Sequence, residues 1–272
     1  MMVVKVGGGA GIDLGPLLDE ITERVNTGER VVLVHGGSDE TNRLAERLGV
    51  PPRFIESPSG HTSRRTDRET LEIFEMAYCG KVNKQIVERL QASGVDAIGL
   101  SGIDAAIWRG SRKTAIRSVE NGRTVIIRDD LSGRVESVND VFLRTLLDSG
   151  MTPVLTPPAL AETGEAINVD ADRAAAATAG ALGASSLLLL SNVPGVLRDP
   201  DDAGSLIGAA EPGSELLRSA ARGRMKNKVL AAEEAIDAGA TRVVIGPANI
   251  DAPIRSALLG GGTVVERQGA AV

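Results

Sequence analysis

Aromatic residues are scarce: one Trp, one Tyr and three Phe make up 2% of the 272 residues. The core must therefore be aliphatic, and stacking platforms for single-stranded nucleic acid are not expected. The lone cysteine, Cys79, excludes an intramolecular disulfide framework and a multi-cysteine zinc site, and its place in an apolar helical pattern reads as core packing. Two histidines, His35 and His61, are too few for most metal centres, so no metal-ligating residues are assigned. Apolar runs such as Leu187 to Leu190 fall far short of the roughly 20 residues of a membrane span, and no membrane contact is expected. The opening Val3-Val4-Lys5-Val6 follows no basic-then-apolar leader, which points to a cytoplasmic protein. Familiar nucleotide signatures are missing too. Gly7 and Gly9 would need a third glycine where Ile12 stands, and no G-x-x-x-x-G-K-[ST] occurs. Neither a Ser-centred nucleophile elbow nor H-E-x-x-H is present.

What remains is ordinary in bulk: 42% hydrophobic and 24% charged residues, with a net charge of −6 that argues against a general polyanion binder. At roughly 150 residues per domain the length admits one large α/β unit. Short apolar runs alternate with amphipathic stretches from end to end, the pattern of a mostly parallel sheet wrapped by helices. Strands are predicted at Val3 to Val6, Arg30 to His35, Asp96 to Leu100, Thr152 to Thr156, Ser186 to Leu190, Arg242 to Ile245 and Thr263 to Glu266. Ser38 or Asp39 is expected to cap the helix after the second strand. Thr66 with Glu69 fits a capping box that opens a long helix through Leu71, Phe74, Tyr78, Val82, Ile86 and Leu90, kinked at Gly80. Asn139 and Asp170 are read as caps of two further helices, the second rich in alanine, and Met225 to Ala238 as another helix. Between Ile107 and Val138, β-like pieces around Asn121-Gly122 and Ser132-Gly133 predict hairpins inserted in the α/β frame.

Two strands end in glycine clusters, Lys5-Val6-Gly7-Gly8-Gly9 and His35-Gly36-Gly37-Ser38. Glycine there either makes a tight strand-to-helix turn or lets bare backbone approach an anion at a helix N-terminus. Two such loops, with a lysine at the mouth of the first, favour phosphate binding. His35 reads as structural.

Six motifs in order then identify a family. Lys5-Val6-Gly7-Gly8, His35-Gly36-Gly37, Ser63-Arg64-Arg65-Thr66-Asp67, Ile167-Asn168-Val169-Asp170-Ala171-Asp172, Leu190-Ser191-Asn192-Val193-Pro194-Gly195-Val196 and Met225-Lys226-Asn227-Lys228 together resemble the amino-acid kinase family, in its acetylglutamate-kinase branch. The stretch Ser57 to Leu71 and the run Gly99-Leu100-Ser101-Gly102-Ile103-Asp104, followed by basic residues from Arg109 to Arg117, are most similar to kinases acting on glutamate or 2-aminoadipate carried by a small amino-group carrier protein of the LysW type. Ser38 and the Gly223-Arg224-Met225 loop depart from the usual glycines of that branch.

The resemblance implies an α/β, three-layer α-β-α fold with a mostly parallel central sheet and inserted β-hairpins. It implies one kinase domain over 1–272, with 1–168 an N-terminal lobe for acceptor binding and dimerisation and 169–272 a nucleotide-binding lobe. The implied reaction is ATP-dependent phosphorylation of a side-chain carboxylate, giving an acyl phosphate and ADP, with Mg²⁺ on the nucleotide phosphates. Free N-acetylglutamate is the alternative acceptor. The resemblance assigns Lys5, Lys228, Asp172 and Gly8 to catalysis, with the lysines clamping the phosphoryl group and Asp172 orienting them. Gly36, Gly37, Arg64 and Asn168 fall to the substrate, and Ser191, Asn192, Gly195, Val196 and Leu197 to the nucleotide. Partners implied are an acidic carrier protein and a second copy of the chain in a homodimer. Arg53, Arg64, Arg65 and Arg68, with Arg109, Arg112, Lys113 and Arg117, form two locally basic segments that would receive the carrier.

Overall fold

The computed structural model describes residues 1–58, 62–120 and 123–267. In the N-terminal half the chain runs β1 (Met2–Val6), α1 (Gly15–Asn26), β2 (Val31–His35), α2 (Ser38–Arg47), β3 (Phe54–Glu56), β4 (Thr62–Arg64), α3 (Arg68–Glu75), a π-helical turn (Met76–Val82), α4 (Asn83–Ala92) and β5 (Ala97–Ser101). An inserted β region follows with β6 (Trp108–Arg112), β7 (Ile116–Glu120), β8 (Arg123–Ile127) and β9 (Gly133–Val138), then α5 (Asp140–Asp148), β10 (Thr152–Thr156), β11 (Ala159–Ala161) and β12 (Ala166–Ile167). The remainder is α6 (Ala171–Leu182), β13 (Ser186–Ser191), β14 (Ala209–Ala210), α7 (Glu215–Ala220), α8 (Met225–Asp237), β15 (Arg242–Pro247), α9 (Pro253–Leu258) and β16 (Thr263–Glu266).

Eight strands form the central sheet in the order β14-β16-β15-β13-β1-β2-β10-β5, parallel except between β15 and β16. Strands β1, β2 and β10 are buried at every position, as parallel strands covered on both faces must be. Side chains alternate between two cores. Val3, Leu187 and Leu189 face one, together with the alanines of α6 and α8; Val4, Val6, Leu188 and Leu190 face the other, against Leu17, Ile21, Ile86 and Leu90. Small residues bring α6 and α8 close: a Cβ on Gly180 would sit 2.3 Å from the Cβ of Ala238. Because alternation has period two, Lys5 shares the Val3 side and reaches toward α6. The lone Trp108 is fully buried and donates from Nε1 to Thr178 Oγ1 at 2.9 Å, tying the inserted sheet β12-β11-β6-β9 to α6.

Several local expectations need correction. Helix α2 has Gly37 as its N-cap and no side-chain cap; the Ser38 hydroxyl instead donates to the Gly8 carbonyl at 3.0 Å. Asp67, not Thr66, caps α3 by accepting from the Thr70 amide. The expected kink at Gly80 is a π-helical turn that carries the helix on into α4 without a break. Strands β7 and β8 pair antiparallel as a separate ribbon, and the turn expected at Asn121-Gly122 lies outside the described residues. Ser132-Gly133 is not a hairpin turn: Ser132 bridges to Asn168, and β9 pairs with β6. The caps at Asn139 and Asp170 form as the sequence predicts.

Candidate active site

The site is built where β1 and β2 end and α6 and α8 begin. Asp170 caps α6 by accepting from the Asp172 and Arg173 amides, each at 3.0 Å, which fixes Asp172 in the first turn. A carboxylate is favoured there by the helix dipole. Lys228 lies in the first turn of α8, where the same dipole disfavours a cation, so its charge must be compensated by something else. Asp172 compensates it. Lys228 Nζ donates to both Asp172 oxygens at 3.1 and 2.9 Å, while Lys5 Nζ reaches Oδ1 at 2.6 Å. All three side chains are buried.

Two buried cations thus share one buried carboxylate, and these three side chains alone carry a net positive charge, which the nearby Asp170 carboxylate reduces. Burial opposes the ionised Asp172, yet Lys5 and Lys228 outweigh it and hold the carboxyl well below the usual range. Burial also opposes the charge on Lys5, but Asp172 outweighs it and the ammonium is held more strongly than usual. For Lys228, burial and the repulsion of Lys5 win over Asp172 and lower its pKa. The carboxylate therefore stays ionised and fully engaged, which suits it to orient lysines and not to take a proton.

The glycine loops lie against one another. A Cβ on Gly8 would fall 2.1 Å from the Gly37 nitrogen, and one on Gly36 would fall 2.8 Å from the Gly8 nitrogen. The Asp39 amide donates to the Gly8 carbonyl at 2.8 Å. These glycines are needed for loop-on-loop contact beside Lys5, a requirement additional to the close ligand approach expected from sequence. His35 is structural in geometry: Nδ1 donates to the Gly36 carbonyl at 2.9 Å, and Nε2 accepts from Asn83 at 3.0 Å. Burial pushes its pKa down to about 4, so it stays neutral.

Arg64 ends β4 and reaches the Gly37 side of the site, donating through Nη2 to Asn42 Oδ1 and to the Ser38 carbonyl. Its Nη1 is buried without a partner, an orphaned donor on a cation. Asn168 donates through Nδ2 to Thr66 Oγ1 at 3.0 Å, two residues before the Asp170 cap. Ser191 closes β13 with a buried, unpartnered hydroxyl, and Asn192 is exposed beside it. Gly195 takes φ of 151°, and a Cβ there would meet Leu206 Cδ1 at 2.7 Å. Val196 is fully buried and its amide donates to Thr263 Oγ1 at 2.8 Å, while Leu197 bridges to Leu206. In this segment Ser191 ends the strand and Asn192 follows it, whereas Val196 packs into the core. A surface cavity of about 270 Å³ lined by Pro16, Asp19, Glu20, Glu23 and Asp251 contains none of these residues.

Sequence reasoning missed several members. Asp170 also accepts from Asn227 Nδ2 at 2.8 Å, locking the start of α8 to the start of α6. Asn42 and Thr66 hold the two substrate candidates, Arg64 and Asn168. Tyr78, read from sequence only as part of an apolar stripe, packs under Gly37. Arg112 was expected on an exposed basic segment, but it is tied down by the carbonyls of Asp130 and Arg128 at 2.9 and 2.8 Å and by Glu165 at 3.3 Å.

Residues 1–247 match the amino acid kinase family, and the chain belongs to that family. It is 56% identical to the LysW-aminoadipate kinase of Deinococcus radiodurans, over 97% of this chain and 91% of that one. It is 51% identical to the enzyme of the same name from Thermus thermophilus, over 97% and 100%. An acetylglutamate kinase from Methanopyrus kandleri is 39% identical over 90% and 94%. Among solved structures, carbamate kinase from Giardia superposes with a TM-score of 0.65 at 15% identity, covering 98% of both chains, a likeness of fold. The α/β fold with its largely parallel central sheet is that of the family, the enzyme is a phosphotransferase with a carboxyl acceptor, and family membership implies use of ATP. Among the described residues no helix is long and apolar enough to cross a membrane.

Proposed function

We propose that this enzyme phosphorylates the side-chain carboxylate of 2-aminoadipate, or of glutamate, linked to a small acidic amino-group carrier protein, as a step of lysine biosynthesis. The observation that carries the reading is the buried Lys5–Asp172–Lys228 cluster with its two ammonium groups. A carboxylate oxygen attacks the γ-phosphorus of ATP, the bond from that phosphorus to the β,γ-bridging oxygen breaks, and ADP leaves. The acceptor is already ionised at neutral pH, so no proton has to be removed. What the step requires is alignment of two anions and neutralisation of charge on the transferring group. Lys5 and Lys228 supply the charge from different elements, Asp172 fixes their ammonium groups, and the backbone at Gly8, Gly36 and Gly37 flanks the same place.

The unpartnered Nη1 of Arg64 would take the acceptor's α-carboxylate, and Asn168 its acylated amino group. Ser191 and Asn192, with the turn through Gly195 to Leu197, would border the nucleotide. Mg²⁺ would ride on the nucleotide phosphates and water, since Asp172 is committed to two lysines and the described residues hold no carboxylate–histidine–cysteine cluster for a metal. The sheet order places strands of residues 2–156 on one side of the β13–β1 junction and strands of residues 186–266 on the other, which supports an acceptor lobe over 1–168 and a nucleotide lobe over 169–272. A homodimer through the first lobe belongs to the same reading, and light scattering at twice 28.2 kDa tests it.

The carrier would dock where the two hairpins meet. Strand β3 touches β7, which brings the basic segments together, and Arg109, Lys113 and Arg117 are exposed there. Free N-acetylglutamate is the weaker alternative, because a small acceptor needs no such surface. Steady-state assays with carrier-linked 2-aminoadipate, carrier-linked glutamate and free N-acetylglutamate decide between them. The expected order is carrier-linked acids first, and a preference for the free acid would overturn the carrier reading.

A further inference from the structure

Thr66 is not the cap of α3, because Asp67 takes that place, yet it is fully buried with every polar atom engaged. Its amide donates to Asp130 Oδ2 at 2.8 Å, and its carbonyl accepts from the Leu131 amide at 2.7 Å. Asp130 is buried as well, and its other oxygen accepts from the Ser132 amide at 2.8 Å. The same stretch holds Asn168 from both sides. The Asn168 amide donates to the Leu131 carbonyl, and its carbonyl accepts from the Gly133 amide, each at 2.8 Å. Thr66 and Asn168, a hundred residues apart in the chain, are thus fixed to one common frame.

Within that frame the Thr66 hydroxyl bridges the two residues read as acceptor contacts. A hydroxyl has one proton to donate and lone pairs to accept with. Here the proton goes to the Arg64 carbonyl at 3.3 Å, so toward Asn168 the oxygen can only accept. The Asn168 side chain must therefore turn its NH2 group to Thr66, and Nδ2 lies 3.0 Å away. That settles which end of the amide is left over. Asn168 is half-buried, and its Oδ1 has no hydrogen-bond partner among the described residues. A flipped amide would offer a donor there instead of an acceptor, and would leave Thr66 facing a carbonyl it cannot serve while bonded to Arg64.

We infer that Thr66 is a positioning residue for the acceptor: its hydroxyl orients the Asn168 amide so that Oδ1 meets the N–H of the acylated amino group, and ties that amide to the peptide carrying Arg64. This rests on the reading above, which assigns the acylated amino group to Asn168 and the α-carboxylate to Arg64. Thr66→Val keeps the side-chain shape and removes the hydroxyl, which leaves the Asn168 amide free to turn. It should raise KM for the acceptor about fivefold, the effect of one ordinary hydrogen bond, with KM for ATP within about twofold of wild type. Thr66→Ser restores the hydroxyl and should bring the acceptor KM back toward wild type. Thr66→Ala also lacks the hydroxyl and carries the same comparison if the valine variant does not fold. Combination with Asn168→Ala separates orientation from general support of the fold. Because Thr66 acts through Asn168, the double variant should show the acceptor KM of Asn168→Ala alone. Two losses that multiply overturn the inference, as does an unchanged acceptor KM in Thr66→Val or an equal rise in KM for ATP. The ratios are taken on whichever acceptor the wild-type enzyme prefers. A preference for free N-acetylglutamate sinks the carrier reading, while the cycle on that acceptor still decides the role of Thr66. A wild-type enzyme that phosphorylates none of these acceptors overturns both.

Discussion

Cations meet carboxylates in two regions of this protein, with opposite consequences. In the centre where β1 ends and α6 and α8 begin, Lys5, Asp172 and Lys228 are buried together. Around the inserted hairpins, Arg53–Asp67 and Arg65–Asp129 are paired with at least one partner in contact with water. Exposed pairs of the second kind contribute about 0–1 kcal/mol, because solvent screens them and ordering long side chains costs entropy. Loss of one partner in a buried set leaves uncompensated charge, which costs about 3–5 kcal/mol. The same residue types thus hold a functional charge in one place and decorate a surface in the other, and burial is what separates them.

The harshest test of that contrast is Asp172→Asn. The variant keeps the shape but leaves two buried ammonium groups without a counter-charge. It should lose about 3–5 kcal/mol of stability in denaturant unfolding and lose turnover as well. Arg65→Ala, which removes an exposed pair, should change stability by about 1 kcal/mol or less. Equal losses for the two variants would remove the distinction between the regions. Lys228→Ala comes next. Asp172 keeps Lys5, so no buried charge is orphaned and the melting temperature should be near normal. kcat should still fall about 10²–10³-fold, the usual loss for one stabilising donor in a closed site. Near-normal turnover would show that the buried charge serves folding alone.

Acid separates two buried groups within the centre itself. His35 has a folded pKa near 4, depressed by burial from 6.5. The unfolded chain therefore binds the proton first, and stability is lost as pH falls from about 6.5 toward about 4, at up to roughly 1.4 kcal/mol per pH unit. Asp172 has a folded pKa depressed below its ordinary 3.8, so its contribution is complete above about pH 4 and is lost only in stronger acid. Urea unfolding of wild type and His35→Gln at pH 7, 6, 5 and 4 should show the slope in wild type only. A variant with the same slope would place the titrating group elsewhere.

Much of this architecture is legible in the chain. The buried parallel strands announce themselves as unbroken apolar runs such as Leu187 to Leu190, and Asp170 and Asn139 cap the helices their positions suggest. Lys5, Asp172 and Lys228 stand in recognisable motifs, but only the structure brings Lys5 Nζ within 2.6 Å of Asp172 and Lys228 Nζ within 3.1 and 2.9 Å of the same carboxylate. Three kinds of detail escape. Thr66 loses the cap to Asp67 because both fit the local pattern and tertiary contacts decide: the Thr66 amide is held by Asp130 and its hydroxyl accepts from Asn168. A π-helical turn has no periodic signature, so Gly80 reads as a kink and Tyr78 as one more apolar position. Arg112 reads as surface charge because its acceptors are backbone carbonyls and Glu165, distant in sequence.

Arg112 holds the β6 end to its surroundings and is not a free docking charge. Reversing Arg112 would break a structural tie and confuse loss of fold with loss of docking. Lys113 and Arg117 are exposed and form no ion pair among the described residues, so they can be reversed without breaking such a tie. Attraction between exposed charges acts over about a Debye length, near 10 Å at 0.1 M salt, and speeds encounter more than it tightens the closed complex. The Lys113→Glu, Arg117→Glu double variant should therefore raise KM for a carrier-linked acceptor severalfold at low salt, leave KM for ATP and kcat unchanged, and converge on wild type as salt is raised. The effect is the smallest of the series because water never leaves these groups. A rise in KM that persists undiminished at high salt would mean that the two side chains are buried against the carrier, and the hairpin surface would then belong with the buried Lys5–Asp172–Lys228 centre and not with the screened periphery.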